Sequence, residues 1–286
     1  RSAGVGKVQI ALLSEISTRA ASAYDIESGT RALPLRLEEL RPSLPAPEVA
    51  GQLDPREHVS PEVLAWLDDP AQALLPRAQW PAEVPKARLL VNTPAEWARI
   101  VGHLYSLGIV TPIEDEHIFK ANGSPVLNGA FAVEKKGDPE EGESRQCRFI
   151  MNMVPANSYL KVMAQDLSTL TASTSWVTIV LEGQRVLLWS GDDQQGAFFV
   201  WKIPLAWRSF TALKGKVPGR LVGRPDLKSV HVCSAVIPMG WILAVTLFQH
   251  LHRRLGLRPH PAGAGLPGGG AWRRDQPPPP ARVAGG

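Results

Sequence analysis

Only two cysteines, Cys147 and Cys233, occur in 286 residues, which excludes a disulfide framework and fits an intracellular protein. Long apolar runs are missing too. The longest uncharged one, Val232 to Phe248, spans 17 residues and is interrupted by Pro238-Met239-Gly240. A membrane helix needs roughly 20 apolar residues, so this run reads as a buried strand–turn–helix and no membrane partner is expected. No secretory leader is visible. The opening RSAGVGKV has Arg1 where a phosphate-binding loop needs its first glycine, and Val8 where Ser or Thr would hold magnesium. His231-x-Cys233 and His250-x-His252 lack zinc-ligand spacing, and no serine nucleophile elbow occurs.

Acid is absent from one long stretch. Gln194 to Pro225 contains no Asp or Glu but carries Lys202, Arg208, Lys214, Lys216, Arg220 and Arg224. A basic stretch directly after the pair Asp192-Asp193 suits a polyanion held beside a metal. The formal net charge of +4 says less about the fold. From Arg253 onward six Arg and one Asp give +5, so the preceding body stands near −1.

Residues 1–90 are rich in Pro, Ala and Leu, with short helical patterns (LPLRLEEL, PEVLAWL) between proline-broken linkers. They predict an irregular, partly helical extension. Beginning at Arg1 and ending in low-complexity sequence, the chain reads as part of a longer protein. In NTPAEWARIVGHLYSLGIV, Thr93 and Glu96 form a capping-box pattern with Pro94 at the first helical position. Trp97, Ile100, Val101 and Leu104 recur at helical spacing and Gly108 supplies the stop. VLNGAFAVEKK and RFIMNMV predict strands joined by the acidic loop GDPEEGES. VTIVLEGQRVLLWSGDD, FFVWKIP and VHVCSAVIP predict further strands, and MGWILAVTLFQHLHRRL an apolar helix ending in Arg. The tail, residues 257–286, is too rich in Gly and Pro to pack and predicts disorder. The fold class is α+β.

Several of these stretches, in this order, resemble the fingers and palm of reverse transcriptases of the retroviral and retroelement kind. FAVEKK with RFIMNMVPAN resembles the fingers hairpin: a basic strand, a loop, an Arg-led strand and a closing Asn157. Asp193-Gln194-Gln195-Gly196-Ala197-Phe198-Phe199 resembles the first palm motif, Asp-x-x-x-Ala-Phe/Tyr-Phe. IPMGWILAVTLFQ resembles the second, Leu-Pro-Gln-Gly-Trp with a following Phe-Gln, sharing Pro238, Gly240, Trp241, Phe248 and Gln249. The resemblance covers roughly residues 90 to 255. It implies fingers over residues 91–188 and a partial palm over 189–256.

What the resemblance implies is template-directed addition of deoxynucleoside triphosphates to a primer. Asp193 would be catalytic and bind magnesium, with Gln194 adding its main-chain carbonyl; paired divalent ions activate the primer hydroxyl and stabilise the leaving pyrophosphate. Lys135 and Arg148 would grip the triphosphate. Phe198 would sit under the sugar and exclude a 2′ hydroxyl, while Met239 and Gly240 approach the nucleotide. Lys214, Lys216 and Arg220 would meet the phosphates of an RNA or DNA primer–template. The departures are specific. Met239 stands for the usual Gln, Asn152 and Val154 stand where Asp and Arg are common, and the aromatic-x-Asp-Asp hairpin is missing, with only Asp275 downstream of the last helix. One carboxylate holds two magnesium ions poorly, so the chain as given is expected to be inactive. Two alternatives stay open: a non-catalytic nucleic-acid-binding relic of a retroelement, and a protein-interaction module using the Pro-rich extension and tail.

Overall fold

The computed structural model describes residues 31–135, 145–163 and 196–256. The strands expected in 177–193, the acidic loop at 137–144 and the tail from 257 lie outside the described residues, as do Asp192, Asp193 and Gln194. Among the described residues the strands are β1 Ala32–Leu33, β2 Val110–Ile113, β3 Lys120–Ala121, β4 Ser124–Pro125, β5 Gly129–Glu134, β6 Cys147–Asn152 and β7 His231–Ser234. The protein is a mixed α+β structure in which several helices surround small antiparallel sheets.

β5 and β6 pair antiparallel, as their sequences predict, from Gly129 opposite Asn152 to Glu134 opposite Cys147. β1 joins the other edge of β5. Alternation along these strands gives the sheet two apolar faces. Ala130, Ala132, Cys147, Phe149 and Met151 enter the main core. Phe131, Val133 and Ile150 form a smaller cluster with Ala32, Leu90 and Met239. A second antiparallel pair, β2 with β7, sets Val110 opposite Ser234 and Ile113 opposite His231.

The capped helix forms over Pro94–Ser106, with the Thr93 hydroxyl accepting from the Glu96 N–H at 3.1 Å. Trp97, Ile100, Val101 and Leu104 are its buried face. The Glu96 carboxylate, which a capping box turns back on Thr93, instead accepts from the Leu37 N–H at 2.8 Å and pairs with Arg99. It thereby caps a second helix, Leu37–Leu40.

Two expected elements differ. Phe198, Phe199 and Val200 are not a strand but a helical turn, Ala197–Val200. Gly196 lies at φ +67°, where glycine carries no Cβ penalty, and its carbonyl accepts from the Phe199 N–H at 2.8 Å. Beyond it Trp201 and Lys202 are extended, bridging to Leu53 and Val236. The last helix begins at Ala244, not Met239, because the chain turns at Pro238-Met239-Gly240 before it can wind.

Residues from both ends of the described chain enter one core. Trp66, from the helix Pro61–Asp68, Trp207 and Trp241 are fully buried and meet edge to face; Trp207 and Trp241 lie 4.9 Å apart by ring centroid. Edge-to-face pairs of this kind add to the burial of their large surface. Trp207→Ala should lower stability by about 3–5 kcal/mol, read from urea unfolding; a loss under 1 kcal/mol would show that these rings are peripheral.

Asp54 ties the 51–57 segment to the extended residues Trp201 and Lys202. It is buried, holds Arg56 at 2.6 Å and Lys202 at 3.0 Å, and caps the turn Pro55–Glu57. Burial, the largest single influence, pushes its pKa up, but the bonds from Arg56 and Lys202 together outweigh it and hold the carboxyl at about 2. A depressed folded pKa contributes stability above the unfolded value, about 3.9, that is lost as pH falls towards 2. Asp54→Asn should cost about 1–3 kcal/mol at pH 7 and flatten the decline between pH 4 and 2. Urea titrations across that range check it, and an unchanged acid profile would contradict it.

Candidate functional site

The hairpin, the Phe198 turn and the Pro238–Gly240 turn come together at the edge of the first sheet. Arg148 stands directly opposite Val133 on β6, and Lys135 follows two residues beyond Val133, its N–H bonded to the Gln146 carbonyl at 2.9 Å. Both side chains are exposed, and alternation puts them on the face that carries Phe131 and Ile150. Met239 packs on that same apolar cluster. Lys135, Arg148 and Met239 therefore share one side of the sheet.

Gly240 lies at φ +104° against the free edge of β6, where a Cβ would stand 2.6 Å from the Met151 carbonyl oxygen. Only glycine lets the backbone come this close. The turn is clasped by Asn157: its amide donates to the Gly240 carbonyl at 2.8 Å, and its carbonyl oxygen accepts from the Ile242 N–H at 3.0 Å. Asn157 itself ends the short helix Val154–Asn157 that follows β6. Its position closing RFIMNMVPAN is visible in the sequence, but nothing in the spacing discloses that it grips the Gly240 turn.

Phe198 and Met239 line a narrow apolar slot with Phe149, Met151 and Pro238. At about 10 Å³ it has room for hardly one water, so it is packing between the motifs and not a ligand pocket. The Phe198 ring also meets Phe248 of the last helix edge-on, 4.8 Å between centroids. Asp193, which the resemblance sets beside Phe198, falls outside the described residues.

The three candidate phosphate contacts differ in how they are held. Lys214 is half-buried and donates to the Ala87 carbonyl at 2.6 Å. Lys216 pairs with Asp115 at 2.6 Å. The turn between them is anchored by Trp97, whose indole donates to the Gly215 carbonyl at 2.7 Å. Arg220 is exposed and makes no ion pair among the described residues. Arg224 is held by Asp226 and Glu114, bonds that push its pKa up further.

Among the described residues no three His, Cys, Asp or Glu side chains converge as metal ligands. None of the described helices is long and apolar enough to cross a membrane. No family model and no curated protein matches the chain.

The Gly240 turn gives a direct test of this geometry. Gly240→Ala should lose about 2–4 kcal/mol, because the added Cβ meets a backbone oxygen at a φ that other residues rarely adopt. Asn157→Ala should lose about 1–2 kcal/mol and speed hydrogen exchange at Ile242. Thermal melts and amide exchange check both; a neutral Gly240→Ala would disprove the close approach.

Proposed function

We propose that the chain is the fingers and partial palm of a right-hand, reverse-transcriptase-like polymerase that engages a primer–template and a deoxynucleoside triphosphate. The observation that carries this reading is the clasp between Asn157 and the Gly240–Ile242 turn. It joins two stretches that the sequence resemblance picked out separately, and it sets Met239 on the face that bears Lys135 and Arg148.

In this reading the hairpin cations take the triphosphate. Arg148 offers a planar fork to two phosphate oxygens, and Lys135 adds a point charge at the strand end. Gly240 presents bare backbone to the nucleotide, and the Met239 side chain gives an apolar contact where a polar one is usual. Divalent ions, when bound at Asp193, supply charge stabilisation at the attacking and leaving oxygens. Template strands are held by phosphate contacts, for which Arg220 is, of the three candidate cations Lys214, Lys216 and Arg220, the one that makes no ion pair or hydrogen bond to a carbonyl among the described residues. Binding without synthesis is the behaviour proposed for the chain as given, since no aromatic-x-Asp-Asp segment follows the last helix.

Fluorescence anisotropy with a labelled primer–template tests this. Binding should weaken steeply as salt rises, and Arg220→Ala should reduce the salt slope by about one. Arg148→Ala should weaken the triphosphate-dependent gain in affinity by at least about tenfold. Primer extension should be absent, and appear only when an aromatic-x-Asp-Asp hairpin is appended in register. Salt-insensitive binding, or a triphosphate response indifferent to Arg148, overturns the proposal. Lys214→Ala is a poor probe, since its loss unties Ala87 and the effect would be one of folding.

A further inference from the structure

On another part of the surface, the end of β2 and the 3-10 turn Leu205–Thr211 enclose a cavity of about 310 Å³. Its walls include Ile113, Glu114, Leu205, Arg208 and Arg224, with the buried Cys233 at its floor. The volume falls within the roughly 300–1,000 Å³ of small-molecule sites. Its two arginines differ in their state. Arg224 is fully engaged, with Glu114 at 2.8 Å and Asp226 at 2.7 Å. Arg208 makes no ion pair among the described residues, and its Nε is buried without a hydrogen-bond partner. That Nε is sealed from the cavity, so an oxyanion entering it meets the terminal nitrogens of the Arg208 guanidinium, which make no ion pair among the described residues.

The rest of the lining narrows the class of ligand. Leu205 is 69% exposed on the rim and stands with Pro112 and Ile113 as an apolar wall. Glu114 and Asp226 take up Arg224, so Arg208 is the wall's one cation with no ion pair among the described residues and matches a single negative charge. We propose that this cavity binds a small organic carboxylate, a monoanion with a short apolar body, whose oxygens meet Arg208 and whose body lies on Leu205 and Ile113. The site uses none of the residues of the polymerase reading, and each stands without the other.

Benzoate, phenyl phosphate and benzyl alcohol, titrated into the full chain and followed by calorimetry or ligand-observed NMR, test the proposal. Benzoate should saturate with a dissociation constant on the order of millimolar, ahead of phenyl phosphate, and benzyl alcohol should not bind. Arg208→Gln should weaken benzoate by at least about tenfold. Leu205→Ser, at an exposed position that leaves the fold intact, should weaken it several-fold. Failure of benzoate to saturate, equal binding of benzyl alcohol, tighter binding of phenyl phosphate, or benzoate affinity unchanged in both variants overturns it.

Discussion

Trp66, Trp207 and Trp241 meet with ring centroids between 4.9 and 6.3 Å apart, and that contact fixes where three distant segments lie. Trp66 belongs to the helix Pro61–Asp68, Trp207 to the 3-10 turn that walls the Arg208 cavity, and Trp241 to the turn after Pro238. Rings of this size carry the largest single share of buried apolar area in a core. With Trp241 held there, the residues just before it have little choice. Gly240 is pressed on the Met151 carbonyl, and Met239 is left over the outer face of the hairpin. The placing of the candidate site thus begins with core packing, to which the Asn157 clasp adds its contacts.

Polar ties then set the register that packing alone leaves loose. Asn128 is completely buried, yet its amide donates to the Phe210 and Ala212 carbonyls and its oxygen accepts from the Ala156 N–H. A buried amide so fully partnered specifies one arrangement of three segments, because any slip strands several groups at once. Asn157 does the same for the Gly240 turn. By contrast the indole N–H groups of Trp66 and Trp241 are buried without partners, while that of Trp207 donates to the Trp66 carbonyl at 3.2 Å, so the tryptophan contact holds chiefly through area and shape.

Local physics was readable from the sequence, and long-range ties were not. The helix Pro94–Ser106 was legible because its cap, its proline and its apolar spacing all lie within one short window. The β5–β6 hairpin was legible because alternating residues flank an acidic, glycine-containing loop. The Phe198 turn was misread as a strand: its aromatic, β-branched composition favours extension, while Gly196 and packing against Phe248 decide for a helical turn. Of the candidate site, Met239, Gly240, Lys135 and Arg148 were named from motif order, and the structure sets them around one sheet edge. The Asn157 clasp, the Asp54 cluster and the Arg208 cavity join residues far apart in sequence, and no local signal carries such information. Asp193 and Gln194 lie outside the described residues.

The acid-free stretch shows why charge content is a poor guide to surface field. Its six cations looked like a stripe for phosphates, but four of them are engaged by groups from elsewhere: Lys202 by Asp54, Lys214 by the Ala87 carbonyl, Lys216 by Asp115, and Arg224 by Glu114 and Asp226. These engagements differ in how easily they are exchanged. The Lys216–Asp115 pair is exposed, with the Asp115 side chain 64% accessible, so its net worth is about 0–1 kcal/mol and a nucleic-acid phosphate can replace the carboxylate. Lys202 cannot leave without uncovering the buried Asp54, and Lys214 cannot leave without orphaning a backbone carbonyl. The cations able to meet a polyanion are therefore those at exposed, weakly held positions, Arg220 and Lys216. The same distinction separates the spent Arg224 from the unpartnered Arg208 in the cavity, where burial makes an incoming anion worth more than it would be on the surface.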